Sequence, residues 1–287
     1  MRYVPVLEVG GTHVAAALVD PVGGVVGERL RESLDSAGSK EVVVGRLADL
    51  ARRLPLPEPT RWAVAMPGPF DYARGIGDFR GADKFHSLED VDLGAALVER
   101  VDTMTGCGFL NDAAAFGLGE AKFGAGGGAD RVLFVTLGTG LGSAFIDHGR
   151  VVESGDRVPP HGWLFLASLD GRPLEDAFSR RALIERYRAR TGRLVDVGDI
   201  AAAVESEPDA RAVFFDAYRD LARGLTPWLD SFAPEALVLG GSIARSWGLI
   251  DDFFVPLLGE SHPDVLVRGA ELGDDAPMLG AAHWLHA

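Results

Sequence analysis

Residues 131–152 read RVLFVTLGTGLGSAFIDHGRVV. Arg131 to Leu137 is an apolar run, Gly138-Thr139-Gly140-Leu141-Gly142 a glycine turn, and Ser143 to Ile146 a returning apolar run. Asp147-His148-Gly149-Arg150 turns the chain once more before Val151-Val152. Apolar runs joined by glycines read as antiparallel strands. The amino-terminal residues carry the same arrangement. Val4 to Val9 ends at Gly10-Gly11-Thr12, Val14 to Val19 ends at Asp20-Pro21, and Val22-Gly23-Gly24-Val25-Val26 supplies a turn and a third strand. The similarity lies in pattern more than in identity, and it reads as an internal duplication. Two such units, each presenting a glycine turn, predict two lobes around a common cleft.

Outward from these hairpins the chain alternates. Val42, Val43, Leu47, Leu50 and Leu54 form a helical stripe over residues 38–54, which Pro55 and Pro57 must end because proline lacks the donor and clashes with the preceding turn. Trp62 to Met66 is a buried-type strand closed by Pro67-Gly68-Pro69. A helix over residues 91–104 and a short strand at Gly108-Phe109-Leu110 lead to Asn111-Asp112. Residues 174–190, 200–204 and 210–232 carry helix-period apolar positions, and Ala236 to Leu239 is a last buried strand before Gly240-Gly241-Ser242. Pro277 opens a terminal helix. The alternation predicts an α/β fold. The expected boundaries are a small lobe at 1–111, with the terminal helix 277–287 packing back on it, and a large lobe at 112–276.

Lys and Arg total 28 against 42 for Asp and Glu, a formal charge of −14. A nucleic-acid binder needs a cationic face to displace counterions, so no nucleic-acid partner is expected. One cysteine, Cys107, leaves no internal disulfide and no multi-thiolate zinc cluster. No apolar run approaches the ~20 residues of a membrane span, and a strand pattern begins almost at Met1, so a cytoplasmic chain with neither membrane segment nor signal peptide is expected.

Three glycine turns follow apolar strands: Gly10-Gly11-Thr12, Gly138-Thr139-Gly140 and Gly240-Gly241-Ser242. Without a Cβ, backbone N–H groups approach a phosphate closely, and Thr12, Thr139 and Ser242 add hydroxyl donors. Any one turn is explained by conformation alone. Three together, each with a hydroxyl residue, point to a nucleotide. The spacing in 138–142 is wrong for a dinucleotide fingerprint and leads into a strand, and no Walker-type lysine follows any of the turns.

LEVGGTHVAAALVD (7–20), MPGPFD (66–71), NDAAAFGLGEAKFG (111–124), VTLGTGLGSAF (135–145), PLEDAFSRRAL (173–183) and LVLGGSI (237–243) together resemble the ROK group of sugar kinases and repressors. The matches run in order to Leu279-Gly280-Ala281-Ala282 and so cover nearly the whole chain. The glycine motifs alone are shared with the wider actin-like ATPase superfamily; PGPFD, NDA and TLGTGLG in that order are more specific. The resemblance implies a two-lobed actin-like (ribonuclease-H-like) ATPase fold with ATP in the cleft. It implies transfer of the γ-phosphoryl group to a sugar hydroxyl, the primary one being expected, and a homodimer.

Phosphoryl transfer needs positioning, charge neutralisation and a base near the hydroxyl. Asp112 matches the family's catalytic aspartate; on the residues alone it also reads as an N-cap for a helix from Ala113. Asn111, Asp83, Glu175, His161 and Gly68 are the implied sugar-site residues. On the residues alone the N-cap reading of Asp112 is favoured, and the family match favours the base; for Glu175 the alternative is a solvated first-turn acid, and for His161, beside two prolines, a packing residue. Gly10, Gly11, Thr12, His13, Gly138, Thr139, Gly140, Gly240, Gly241 and Ser242 are the implied ATP contacts. Glu8 stands where the family has aspartate, one methylene longer, and is expected to hold Mg2+ through water. The family's cysteine-rich zinc loop is replaced by Leu169-Asp170-Gly171-Arg172-Pro173, so no structural zinc is expected. Its Gly-Glu-x-Gly-His segment has become Pro159-Pro160-His161-Gly162-Trp163. These changes fall where the ring hydroxyls would be read. They point away from plain glucose toward a modified hexose, such as a kanosamine-like amino sugar, or a cyclitol. Plain glucokinase and a catalytically weak sugar-binding protein stand as alternatives. A repressor would carry a DNA-binding segment before the first glycine motif, where this chain has six residues.

Overall fold

The computed structural model describes residues 3–80 and 84–287. They form two compact units: Met1–Phe123 with Asp274–Ala287, and Gly124–Gly273.

In the first unit, β1 (Val4–Val9), β2 (His13–Asp20), β3 (Val25–Val26) and β4 (Leu30–Ser33) precede helix α1 (Lys40–Arg52). Then come β5 (Thr60–Met66), β6 (Phe70–Asp71), β7 (Ile76–Gly77), α2 (Leu93–Val98), β8 (Met104–Asn111) and α3 (Asp112–Phe123). The main sheet runs β3-β2-β1-β5-β8, with β4 also paired to β2. β1 to β3 are antiparallel neighbours, whereas β5 and β8 join in parallel. Val6, Leu7, Val14, Ala16, Trp62 and Val64 are fully buried, because both sheet faces are covered by helices. α1 lays Val43, Val44, Leu47 and Leu50 on the sheet and is capped by Ser39, whose Oγ accepts from the Val42 N–H at 3.4 Å.

In the second unit, β9 (Arg131–Leu137), β10 (Leu141–Asp147), β11 (Arg150–Val151), β12 (Ser168–Leu169) and β13 (Arg172–Pro173) are followed by α4 (Arg180–Thr191), α5 (Val197–Ala202) and α6 (Pro208–Phe232). β14 (Ala236–Gly240), α7 (Trp247–Leu249), a π turn at Ile250–Phe254, α8 (Val255–Gly259) and β15 (Leu266–Gly269) complete it. Its sheet runs β11-β10-β9-β14-β15, antiparallel across β11, β10 and β9 and parallel across β9, β14 and β15. This is the strand order and sense of the first sheet repeated, so the duplicated sequence pattern corresponds to a duplicated topology. The core gathers Phe145, Tyr187, Phe214, Tyr218, Phe232 and Phe254 around α6.

Helix α9 (Ala276–His286) belongs to the first unit, where it packs against α3, β1 and β5. A Cβ on Gly280 would run into the Ala115 carbonyl, and one on Gly119 into the Ala276 carbonyl. The two helices therefore touch backbone to backbone. That contact keeps α3 with the first unit, so the division falls after Phe123 rather than at the expected 111/112.

Several expected elements shift. The helix read over 91–104 is only Leu93–Val98, because Met104 already belongs to β8. The helix read from Leu174 begins as a 3-10 turn at Leu174–Asp176; α4 starts after Ser179, whose Oγ accepts from the Ala182 N–H at 3.2 Å.

Candidate active site

β8 ends at Asn111 and α3 begins at Asp112, so both side chains sit at a strand-to-helix junction. Asn111 is the helix cap. Its Oδ1 accepts from the Ala113 N–H at 2.9 Å and the Ala114 N–H at 3.2 Å, while its Nδ2 donates to the Tyr72 hydroxyl at 3.0 Å. Tyr72 in turn donates to the Met66 carbonyl at 3.1 Å. Asn111 thus spends most of its polar capacity inside the unit. Asp112 is left with one oxygen accepting from the Ala113 N–H at 2.9 Å. Burial raises the Asp112 pKa; that N–H bond, the Lys84 ammonium and its own backbone N–H oppose the rise.

The β1–β2 turn is a tight hairpin in which the Gly10 N–H donates to the His13 carbonyl at 2.8 Å. Thr12 is exposed at its tip, with Oγ1 3.5 Å from His13 Nδ1. Burial, then the Arg31 charge, lowers the His13 pKa, so the ring is neutral at pH 7. Glu8, two residues before Gly10, is half-buried near the end of β1. Burial pushes its pKa up to about 7; Arg29 pulls against this, while Asp274 and Asp112 add to it. Lys84 is a residue that the sequence reading misses. Its Cδ lies 3.3 Å, and its Nζ 3.5 Å, from the position a Cβ on Gly11 would take. A lone lysine in a loop carries no pattern that would have singled it out. Asp83, the neighbouring candidate, lies outside the described residues. Gly68 lies between β5 and β6, with the Gly68–Pro69 peptide cis.

In the second unit the other two glycine turns lie together. β9 and β14 are parallel neighbours with Gly240 paired to Thr136, so both strands release their turns at the same sheet edge. The Ile243 N–H donates to the Leu137 carbonyl at 2.9 Å, and Ser242 Oγ is 3.5 Å from where a Gly138 Cβ would be. Gly241 has φ +88°, a backbone region that side chains strain to adopt. Thr139 and Ser242 are exposed at the tips. Glu175 joins this group: its Oε2 accepts from the Leu141 N–H at 3.0 Å and would be 2.6 Å from a Cβ on Gly140. The carboxylate expected at a sugar site therefore also braces the second glycine turn.

His161 is exposed, with φ 60°, and its ring lies against Trp163 at 4.7 Å between centroids, tilted by 34°; Trp163 continues to Phe165 at 5.5 Å. Ser143 ties this segment to β10, donating to the Gly162 carbonyl at 2.6 Å and accepting from the Leu164 N–H at 2.9 Å. A concavity of about 700 Å³ between α4 and α6 is lined by none of these residues. Three of its arginines are matched by carboxylates, with Arg181–Asp176 at 2.6 Å, Arg186–Asp220 at 2.7 Å and Arg190–Asp216 at 2.6 Å. Among the described residues, no group of three His, Cys, Asp or Glu side chains could by itself hold a metal ion, and no helix is long and apolar enough to cross a membrane.

A family model described as the ROK family matches residues 5–287. The chain belongs to the ROK family. A ROK relative, glucokinase from Thermotoga maritima, is 30% identical over 314 residues, covering 96% of this chain and 95% of its own. The ROK hexokinase of Thermus thermophilus superposes with a TM-score of 0.80 at 26% identity, covering 99% of this chain and 98% of its own. The inorganic polyphosphate/ATP-glucomannokinase of Arthrobacter sp. strain KM superposes with a TM-score of 0.72 at 27% identity, over 100% of both chains. The fold is the mixed α/β, actin-like fold of ROK sugar kinases.

Proposed function

We propose that this ATP-dependent sugar kinase transfers the γ-phosphoryl group to the primary hydroxyl of a modified hexose or cyclitol, with Asp112 as the base. The observation that carries this reading is the division of labour at the β8–α3 junction. Asn111 caps the helix, so the Asp112 carboxylate keeps one oxygen beyond its bond to the Ala113 N–H and is made more basic by burial. Its open oxygen accepts the acceptor's hydroxyl proton while that oxygen attacks the γ-phosphorus and the bond to the bridging oxygen breaks, the electron pair leaving with ADP.

The phosphates of ATP are read by backbone N–H groups at Gly11, His13, Gly140, Gly240 and Gly241 and by the hydroxyls of Thr12, Thr139 and Ser242, while Gly10 and Gly138, whose N–H groups donate to the His13 and Gly140 carbonyls, shape the turns that approach the phosphates. The adjacency of the second and third turns supports a shared phosphate cradle on their unit. Glu8 is the candidate to hold a cation: its half-buried carboxyl lies in the field of Asp274 and Asp112, with the Arg29 and Arg31 charges opposing. Magnesium takes few protein ligands and keeps several waters, and when bound it neutralises the β- and γ-phosphate charge. Glu8 would hold it through water.

For the acceptor, Glu175 has one oxygen beyond its bond to Leu141, and Asn111 one Nδ2 hydrogen beyond its bond to Tyr72. Gly68 and Asp83 belong to the same proposed set. The His161–Trp163 pair favours an altered acceptor, since an aromatic face receives the C–H surface of a ring where the family presents glutamate and histidine. ADP release with ATP and magnesium across hexoses, amino sugars and cyclitols, run beside Asp112→Asn, tests the reading. Turnover on one class that collapses in the variant is expected. Best kcat/KM on glucose would overturn the acceptor assignment, and silence across the panel with ATP binding intact would favour a sugar-binding protein.

A further inference from the structure

Lys84 stands between two parts of the first unit that the proposed reaction uses. Its side chain lies over the Gly10–Thr12 hairpin, with Nζ 3.5 Å from the position of a Gly11 Cβ, and its charge acts on the Asp112 carboxylate. No hydrogen bond or ion pair joins Lys84 to Asp112 or to any other described residue. Lys84 as a residue is half-buried. The chain just after it is anchored. Phe85, the next residue, is fully buried against Phe79 at 5.4 Å, has φ 61°, and donates its N–H to the Ser36 carbonyl at 2.8 Å. A cation over the glycine hairpin and within electrostatic reach of Asp112, with no hydrogen bond or ion pair to a described residue, is placed to meet an anion arriving there.

We propose that Lys84 is a further catalytic residue, whose ammonium contacts the γ-phosphoryl group as it passes from donor to acceptor. This rests on the kinase reading above. In the transfer, charge spreads over the three equatorial oxygens of the phosphoryl group while the attacking and leaving oxygens lie in line. Backbone N–H groups at the hairpin face those oxygens from one side, and Asp112 takes the proton of the attacking hydroxyl. Lys84, reaching toward both, supplies the point charge that neutralises the moving group. The new P–O bond forms to the acceptor and the bridging bond breaks toward ADP. Lys84 keeps its protons throughout. The glycine at position 11 acquires a second reason: a Cβ there would crowd the lysine's Cδ at 3.3 Å.

The test compares wild type, Lys84→Met and Lys84→Arg on the sugar that the wild type turns over fastest, together with thermal melts. Methionine keeps the length and removes the charge. A fall in kcat of about 10²–10³-fold is expected, with the acceptor KM within about 3-fold and the melting temperature unchanged, since one fixed donor to a developing anion has about this worth. Arginine should restore at least about 10-fold. Affinity for ADP with aluminium fluoride, a mimic of the transferring group, should fall in Lys84→Met, while affinity for ADP alone stays. A raised acceptor KM with kcat retained would make Lys84 a reader of the acceptor and overturn the proposal, as would an unchanged kcat. If Lys84→Met melts early, the Arg variant decides: it keeps the charge, and its loss of kcat to the level of the Met variant would overturn the proposal. Wild-type silence on every sugar would instead sink the kinase reading itself.

Discussion

At Asp112 a single carboxylate carries two consequences of burial. It is made a better proton acceptor, and its ionisation is made costly. Asp112→Asn is expected to lower kcat by about 10²–10⁴-fold while leaving the fold intact, because the amide keeps the Ala113 contact and removes the charge. In wild type the acidic limb of kcat/KM should lie above the ordinary aspartate range; a limb at the ordinary aspartate value would contradict the assignment. Glu8 gives a separate pH signature. Its folded pKa of about 7 exceeds the ordinary 4.5, so the folded chain holds this proton more tightly than the unfolded chain does. The stability that this provides is full below about pH 4.5 and is lost as pH rises through about 7, to a total of up to ~3 kcal/mol. Melting temperatures of Glu8→Gln and wild type should therefore converge near pH 4.5 and separate by several degrees at pH 8, with the variant the more stable. A separation independent of pH would refute this account.

The elements show how far a sequence pattern reaches. The hairpins β1–β2 and β9–β10 and the strand β14 were legible because largely apolar runs adjoin glycine turns. Strands β4 and β15 were not, since Leu30–Ser33 and Leu266–Gly269 are short, edge-type segments without a fully buried face. At the site, Asp112 and the glycine turns were legible from motifs. The capping of α3 by Asn111, the bond from Leu141 to Glu175 and the position of Lys84 each depend on residues brought together only by folding. The same holds for the α3–α9 contact, which gives an element-level prediction. Gly280→Ala should force the helices apart and cost ~3 kcal/mol, measured by denaturant unfolding. Because α3 starts at Asp112, kcat should fall with it; full activity in a destabilised variant would show that the junction is insulated from the helix pair.

On the scale of the whole molecule, the first unit is discontinuous: the chain leaves it at Phe123, builds the second unit, and returns at Asp274. Removing residues 276–287 should strip α9 from α3, β1 and β5. Hydrogen exchange should then show lost protection in those elements, while β9, β10 and β14 keep theirs; uniform loss in both units would mean that they unfold as one. The order in which the parts are made has its own consequence. Chains emerge from the ribosome at about 5–20 residues per second, and the second unit can close on its own residues while the first still lacks its final helix. For a stretch of order ten seconds at that rate, the nascent β8–α3 junction carries Asp112 on a helix whose glycine-lined face is bare. A messenger broken anywhere within the second unit therefore yields a polypeptide with every residue of the proposed base and hairpin, yet without the helix that seats them.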